Sequence, residues 1–248
     1  MSEEVKSVLE RLKEINASKS NNIYLPSLGK KIKFSPFTLK QQKDLLASMP
    51  DNATGILDFN NSFNDIISSN ILEDKITLDD LNTFDRLNII LHYRINAVGS
   101  TLERNGKKIN LSNLAKSFES TNFEKIFGEK EIKSSNFIAT LKVPSLSYDK
   151  KINVSTSYKL KKTKKQQQVI AELFVSEILK YVKSITVDEN NVMDLYSSSY
   201  EDKTNAIELL PNNFTKKIFD FIASVKSIED KLTTVEDIKI DISNELFG

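Results

Sequence analysis

The sequence predicts an α+β fold: a small N-terminal sheet packed by helices, a β-hairpin-containing middle and a helical C-terminal part. Three observations carry that expectation. Apolar residues recur at three- and four-residue spacing near both ends and in the centre of the chain, the period of amphipathic helices. Short β-type runs flank turn residues around Pro26 and Gly29 and around Asn105-Gly106. Only 6 Gly and 5 Pro occur in 248 residues, which suits long uninterrupted helices. These signals divide the chain into an N-terminal helix or arm (residues 1–20), an α+β unit (21–103), a β-containing middle region (104–160) and a helical C-terminal region (161–248).

Val5, Val8, Leu9, Leu12 and Ile15 lie on one helical stripe, and the polar NASKSNN follows as a linker. Residues 23–25 and 32–34 are β-type runs on either side of PSLGKK, where Pro26 and Gly29 punctuate a turn. Pro36 forces Ser35 out of helical conformation, and Thr38 with Gln41 forms a capping box for a helix through Leu45 and Leu46. A further helix is expected over 56–71. The most strongly apolar stretch is 81–99, LNTFDRLNIILHYRINAVG. Thr77 with Asp80 resembles a capping box at its entry, and Gly99 ends it. Phe84, Leu87, Leu91, Ile95 and Val98 form its apolar stripe, which Ile90 widens. Asp85, Asn88, His92 and Asn96 form a polar ridge on the same helix, expected to face water or a partner, with Arg86 and Arg94 between ridge and stripe.

Asn105-Gly106 is the favoured dipeptide of a type I′ hairpin. Residues 111–127 read as one or two short helices. Residues 137–143 and 152–158 read as the arms of a second hairpin around SLSYDKK. A helical period returns from Lys164 through Val169, Leu173, Ile178 and Val182. Pro211 then precedes a last amphipathic helix carrying Phe214, Ile218, Phe221, Ile222 and Val225, and a charged tail ends the chain.

Composition narrows the chemistry. The absence of Cys removes disulfides, thiolate catalysis and Cys-based zinc sites, and a single His excludes multi-His metal centres. Lys plus Arg number 35 against 34 Asp plus Glu, so bulk electrostatic binding of nucleic acid is not expected. No run approaches the roughly 20 apolar residues of a bilayer span, and the chain reads as soluble and not exported by the usual routes. The glycines are isolated, so no phosphate cradle forms.

Several residues invite sharper readings. His92 with Asp85 could be an oriented imidazole, but one His and one Asp supply neither a nucleophile nor a ligand set. The pairs Glu73/Asp74 and Asp79/Asp80 could be a glycosidase acid and base, but acidic residues at a helix entry are expected there on electrostatic grounds. Lys159 to Lys165, KLKKTKK, with Tyr158 beside it, could meet nucleic acid, or could be a solvated loop or a contact to an acidic partner subunit. Phe34 and Phe37 could be an exposed docking pair, though two aromatics beside a strand and a helix start usually enter a core. No catalytic, metal or cofactor site is expected.

Two stretches, IYLPSLGKKIKFSPFTLKQQKDLL (23–46) and LNTFDRLNIILHYRINAVGSTL (81–102), together resemble the T4-type phage baseplate proteins, the small hub subunits of contractile tails. The first is similar to their L-P-S-x-G, F-x-P-F-T and K-x-L-L opening, and the second to their L-x-x-F-D helix ending in R-x-x-x-V-G. Residues 209–222, LLPNNFTKKIFDFI, are similar to the family's late proline and amphipathic helix, whereas 105–208 agrees only in the order of elements. The matching positions Pro26, Gly29, Phe34, Pro36, Phe37, Phe84, Asp85, Arg94 and Gly99 look architectural. The resemblance implies a non-enzymatic structural subunit of the baseplate hub, assembled in the host cytoplasm and placed in the virion tail. Its implied partners are other hub and tail-tube proteins, with the tape-measure protein and further copies of this chain as candidates. The alternatives are a transient cytoplasmic hub-assembly factor and a nucleic-acid-binding protein using Lys159 to Lys165. On the hub reading, Asp85, Asn88, His92, Asn96, Phe34 and Phe37 are the candidate interface, and replacing Asp85 and His92 by Ala should spare the isolated fold while weakening assembly.

Overall fold

The computed structural model describes residues 3–48, 54–104, 106–163, 165–188, 191–235 and 237–240. Helix α1 (Glu3–Ser18) leads into a hairpin of β1 (Asn21–Leu25) and β2 (Lys30–Phe34), paired from Asn21↔Phe34 to Leu25↔Lys30. Ile23, Leu25, Ile32 and Phe34 alternate along the two strands and are all wholly buried, so the hairpin has one core face. Gly29 turns the chain at φ +61 and donates its N–H to the Leu25 carbonyl at 2.9 Å.

Helix α2 (Leu39–Ala47) carries the expected Thr38/Gln41 capping box. Helices α3 (Gly55–Asn70) and α4 (Thr83–Val98) follow, and the main chain after α3 extends the hairpin edge through the bonds Ser35 N–H to Asn70 O and Leu72 N–H to Lys33 O. Strands β3 (Thr101–Arg104) and β4 (Lys107–Asn110) form the second hairpin; Asn105, the first residue of the expected turn, lies outside the described residues. Helices α5 (Leu111–Ser120) and α6 (Glu124–Phe127) complete this half.

The other half differs from expectation in two places. Strands β5 (Lys130–Lys133), β6 (Phe137–Leu141), β7 (Val182–Val187) and β8 (Asn191–Asp194) make one antiparallel sheet in that order. Residues 152–158 are not a hairpin arm but part of helix α7 (Leu146–Leu160), started by Ser145 accepting the Tyr148 N–H. Its buried face includes Asn153, Thr156 and Ser157 beside Ile152 and Leu160, so a helical stripe exists in burial but not in hydrophobicity. Helix α8 (Gln166–Tyr181) ends where β7 begins. Val182 and Ile185, the buried residues of β7, are three apart and so imitate a continuing helix in the sequence. Helices α9 (Tyr200–Glu208) and α10 (Asn212–Leu232) and the short pair β9 (Thr234–Val235) and β10 (Ile238–Lys239) close the chain. One contiguous buried cluster runs from Ile23 to Ile240. The boundary expected between residues 103 and 104 falls inside β3, and that between 160 and 161 separates two strands of one sheet.

Candidate functional site

Helix α4 is capped at Asn82, five residues beyond the expected cap at Thr77. The Asn82 side chain accepts the N–H groups of Phe84 and Asp85, and Asp85 Oδ2 accepts the Asn82 N–H at 2.7 Å, a reciprocal capping box. Thr77 and Asp80 instead close their own turn, Asp80 accepting from the Thr77 N–H and hydroxyl. Glu73 accepts the Lys33 N–H at 3.4 Å, so neither acidic pair sits in the first turn of α4.

The polar ridge is not one exposed surface. Asp85 and Asn88 are wholly buried, His92 is half-buried and Asn96 is exposed. Asp85 Oδ1 accepts the Ser27 N–H at 3.0 Å, and Asn88 Nδ2 donates to the Tyr24 carbonyl at 2.7 Å. The ridge therefore turns inward at its N-terminal end because the β1–β2 hairpin packs over it and needs acceptors and donors for its own turn. Burial pushes the Asp85 carboxyl up to about 6, against the hydrogen bonds from Ser27 and Asn82. Burial also lowers the His92 imidazole; Glu119 pulls it up and Lys31 pushes it down. Among the described residues no group of acidic, His or Cys side chains could hold a metal ion.

The motif aromatics enter the core. Phe34 and Phe84 are wholly buried, which corrects the docking reading of Phe34, and Phe37 is half-buried and stacks on Tyr93 with ring centroids 5.3 Å apart. Phe84 packs edge-on against Phe123 and Phe127. Pro26 is buried beneath the turn, and Pro36 is half-buried before α2. Arg94 Nη1 donates to the Gly99 carbonyl at 2.8 Å, and Gly99 adopts φ +114 as α4 ends.

A buried charge network joins the helices, and no sequence motif announced it. Arg86 Nη1 lies 2.6 Å from Asp149 Oδ2, and Lys180 Nζ lies 3.0 Å from Asp149 Oδ1. Asn64 and Asn153 add hydrogen bonds, Lys226 pairs with Glu177 at 2.7 Å, and the Thr83 hydroxyl donates to Glu229 at 2.8 Å. The charged groups and Thr83 line a cavity of 320 Å³ among α3, α4, α7, α8 and α10. Burial alone would raise the Asp149 carboxyl, but Lys180 and Arg86 outweigh it and hold the group well below the usual carboxylate range. The charges answer one another, so the arrangement fixes helix positions rather than presenting a free base. Arg86 was visible as a charge beside the apolar stripe of its helix; Asp149 fell in a segment read as a hairpin turn.

In the apolar stripe of α1, Val8 is 60% exposed, Leu12 51% and Ile15 43%. Lys159 pairs with Glu172 at 2.7 Å, while Lys161, Lys162 and Lys165 are exposed. No described helix is long and apolar enough to cross a membrane.

Neither the curated proteins nor the solved structures give a match to this chain. A family model described as T4 bacteriophage base plate protein matches residues 18–239. That span runs from the last residue of α1 to the end of β10 and takes in the whole of the middle region, where the motifs agree only in the order of elements. The chain therefore belongs to the T4 bacteriophage base plate protein family.

Proposed function

We propose that the chain is a structural subunit of the baseplate hub of a contractile phage tail, acting through protein–protein contacts in tail assembly. The observation that carries this reading is the family match over residues 18–239. The geometry around the shared motifs supports it: Ser27, Asp85, Phe84 and Arg94 are used in holding the fold, and the charges at Asp149 and Glu177 are paired internally. The exposed surface includes apolar and polar groups: Val8, Leu12 and Ile15 of α1, and the exposed Asn96 end of the α4 ridge. Apolar anchors of this kind supply affinity, and polar neighbours fix register.

The test is quantitative mass spectrometry of purified particles from the phage or phage-like element that encodes the chain, with copy number scaled to a tail protein of known stoichiometry. A small fixed copy number supports a resident hub subunit. Absence from finished particles, with abundance in the infected cytoplasm, overturns it in favour of a transient assembly factor.

A further inference from the structure

A groove of 480 Å³ opens on the outer side of α7, lined by Val154, Ser155, Tyr158, Lys159, Lys162 and Tyr200. Val154 is 51% exposed and Tyr158 64%, and at i, i+4 spacing they stand one turn apart on the same face. An aliphatic and an aromatic side chain thus form an uncovered floor. Lysines make the rim. Lys162 Nζ lies 3.9 Å from the centroid of the Tyr158 ring and donates to its hydroxyl at 2.7 Å, which holds the ammonium across the ring face. Lys159 and Lys162 line the groove, and Lys161 and Lys165 are exposed on the connection that follows to α8, whose start carries no side-chain cap.

We propose that this groove is the docking site for an acidic segment of a partner protein that carries an aliphatic or aromatic anchor. The anchor seats on Val154 and Tyr158, and its flanking carboxylates pair with Lys161, Lys162 and Lys165. The proposal rests on the reading of the chain as a component that works through protein contacts. The sign of the rim selects the acidic partner, and the apolar floor selects the anchor. Nucleic acid fits less well on two counts. Lys159 is already paired with Glu172, and the run contains no Arg to fork onto phosphate. The formal net charge of +1 supplies no wider positive field.

Fluorescence anisotropy on the full chain tests this, using a labelled peptide of alternating Glu, Leu and Phe, the same peptide with Gln for Glu, oligothymidylate, and vesicles containing phosphatidylserine. The acidic peptide is expected to bind, to weaken as salt rises, and to lose at least about tenfold in affinity, or about 1.4 kcal/mol, on Tyr158→Ala or on joint Lys161→Ser, Lys162→Ser and Lys165→Ser replacement. All these positions are exposed, so far-ultraviolet circular dichroism should stay unchanged. Joint reversal of the three lysines to Glu should transfer binding to the Lys version of the peptide. Equal binding of the Gln peptide, preference for oligothymidylate or for the vesicles, or no peptide binding by a normally folded chain overturns the proposal. These outcomes are independent of particle composition: a failed groove leaves the hub reading standing, and absence from particles leaves the groove's binding intact.

Discussion

Asp85 Oδ1 accepts the backbone N–H of Ser27 at 3.0 Å across 58 residues of chain, and through this bond the Pro26–Gly29 turn and helix α4 become one unit. The Ser27 hydroxyl adds a second tie to the Asp80 carbonyl at 2.9 Å, and Asn88 a third to Tyr24. The two stretches on which the family resemblance was first read are therefore one piece of structure, separated in sequence and joined in space. A carboxylate buried here serves two N–H groups at once, one from the turn and one from the helix cap, which no apolar residue could satisfy.

Asp85→Ala should accordingly destabilise the isolated chain by about 1–3 kcal/mol at neutral pH, the cost of a lost cap and an unsatisfied buried N–H. This reverses the expectation that the substitution would spare the fold. The pH dependence has a definite sign. The folded group sits at about 6 against an ordinary value of 3.8, so the folded state binds the proton more tightly and stability falls as pH rises between those values. Urea unfolding across that window should show the fall in the parent chain and a flatter profile in the variant; parallel profiles would place the titration elsewhere.

How much of this was legible depends on whether burial and hydrophobicity coincided. Where they did, as in the alternating Ile23, Leu25, Ile32 and Phe34 or the Thr38/Gln41 box, the residues alone located the element. In α7 the buried Asn153, Thr156 and Ser157 hide the helical period, and in β7 the pair Val182 and Ile185 counterfeits one. Spacing puts Asp85, Asn88, His92 and Asn96 on one helix ridge, but which part of it is buried depends on a hairpin packed over it, which spacing does not encode. Long-range charge pairs such as Arg86 with Asp149 leave no local trace at all.

That pair gives a second prediction. Asp149→Asn leaves Arg86 buried without its ion-pair partner and Lys180 with only Glu177 at 3.7 Å, and should cost about 3–5 kcal/mol, whereas joint Arg86→Met, Asp149→Leu and Lys180→Met should recover most of it. Because the folded carboxyl is depressed, its stabilisation is present above the ordinary value of 3.8 and is lost as pH falls below it. Denaturation midpoints for the single and triple variants decide the matter. A triple variant no more stable than the single one would show that the network does more than balance its own burial.

The α1 stripe separates stability from assembly. Val8→Asp with Leu12→Asp changes two exposed positions that precede the family-matched region, so the unfolding free energy should stay within about 0.5 kcal/mol of the parent. Incorporation of the chain into particles should fall, because a charged stripe cannot be covered by an apolar partner surface. A double variant that unfolds earlier would mean that the stripe packs on its own chain. One that assembles normally would remove α1 from the interface.

Two glycines test backbone geometry against space. A methyl group added at Gly99 or at Gly128 meets no clash: nothing lies within 4 Å at the first, and the nearest atom at the second is the Glu124 carbonyl oxygen at 3.7 Å. Their backbones differ. Gly99 holds φ +114, a conformation that L-residues rarely adopt, with its carbonyl fixed by Arg94, whereas Gly128 sits at φ −64 and ψ 149, where alanine is at ease. Gly99→Ala should therefore cost about 1–3 kcal/mol, and Gly128→Ala should be neutral or gain up to about 1 kcal/mol by restricting the unfolded chain. Thermal unfolding should resolve the pair, since each kcal/mol moves the midpoint by about 2–4 °C in a chain of this size. Equal effects at both positions would show that the end of α4 relaxes to a negative φ without loss, and that the turn after α4 does not depend on the Arg94 anchor.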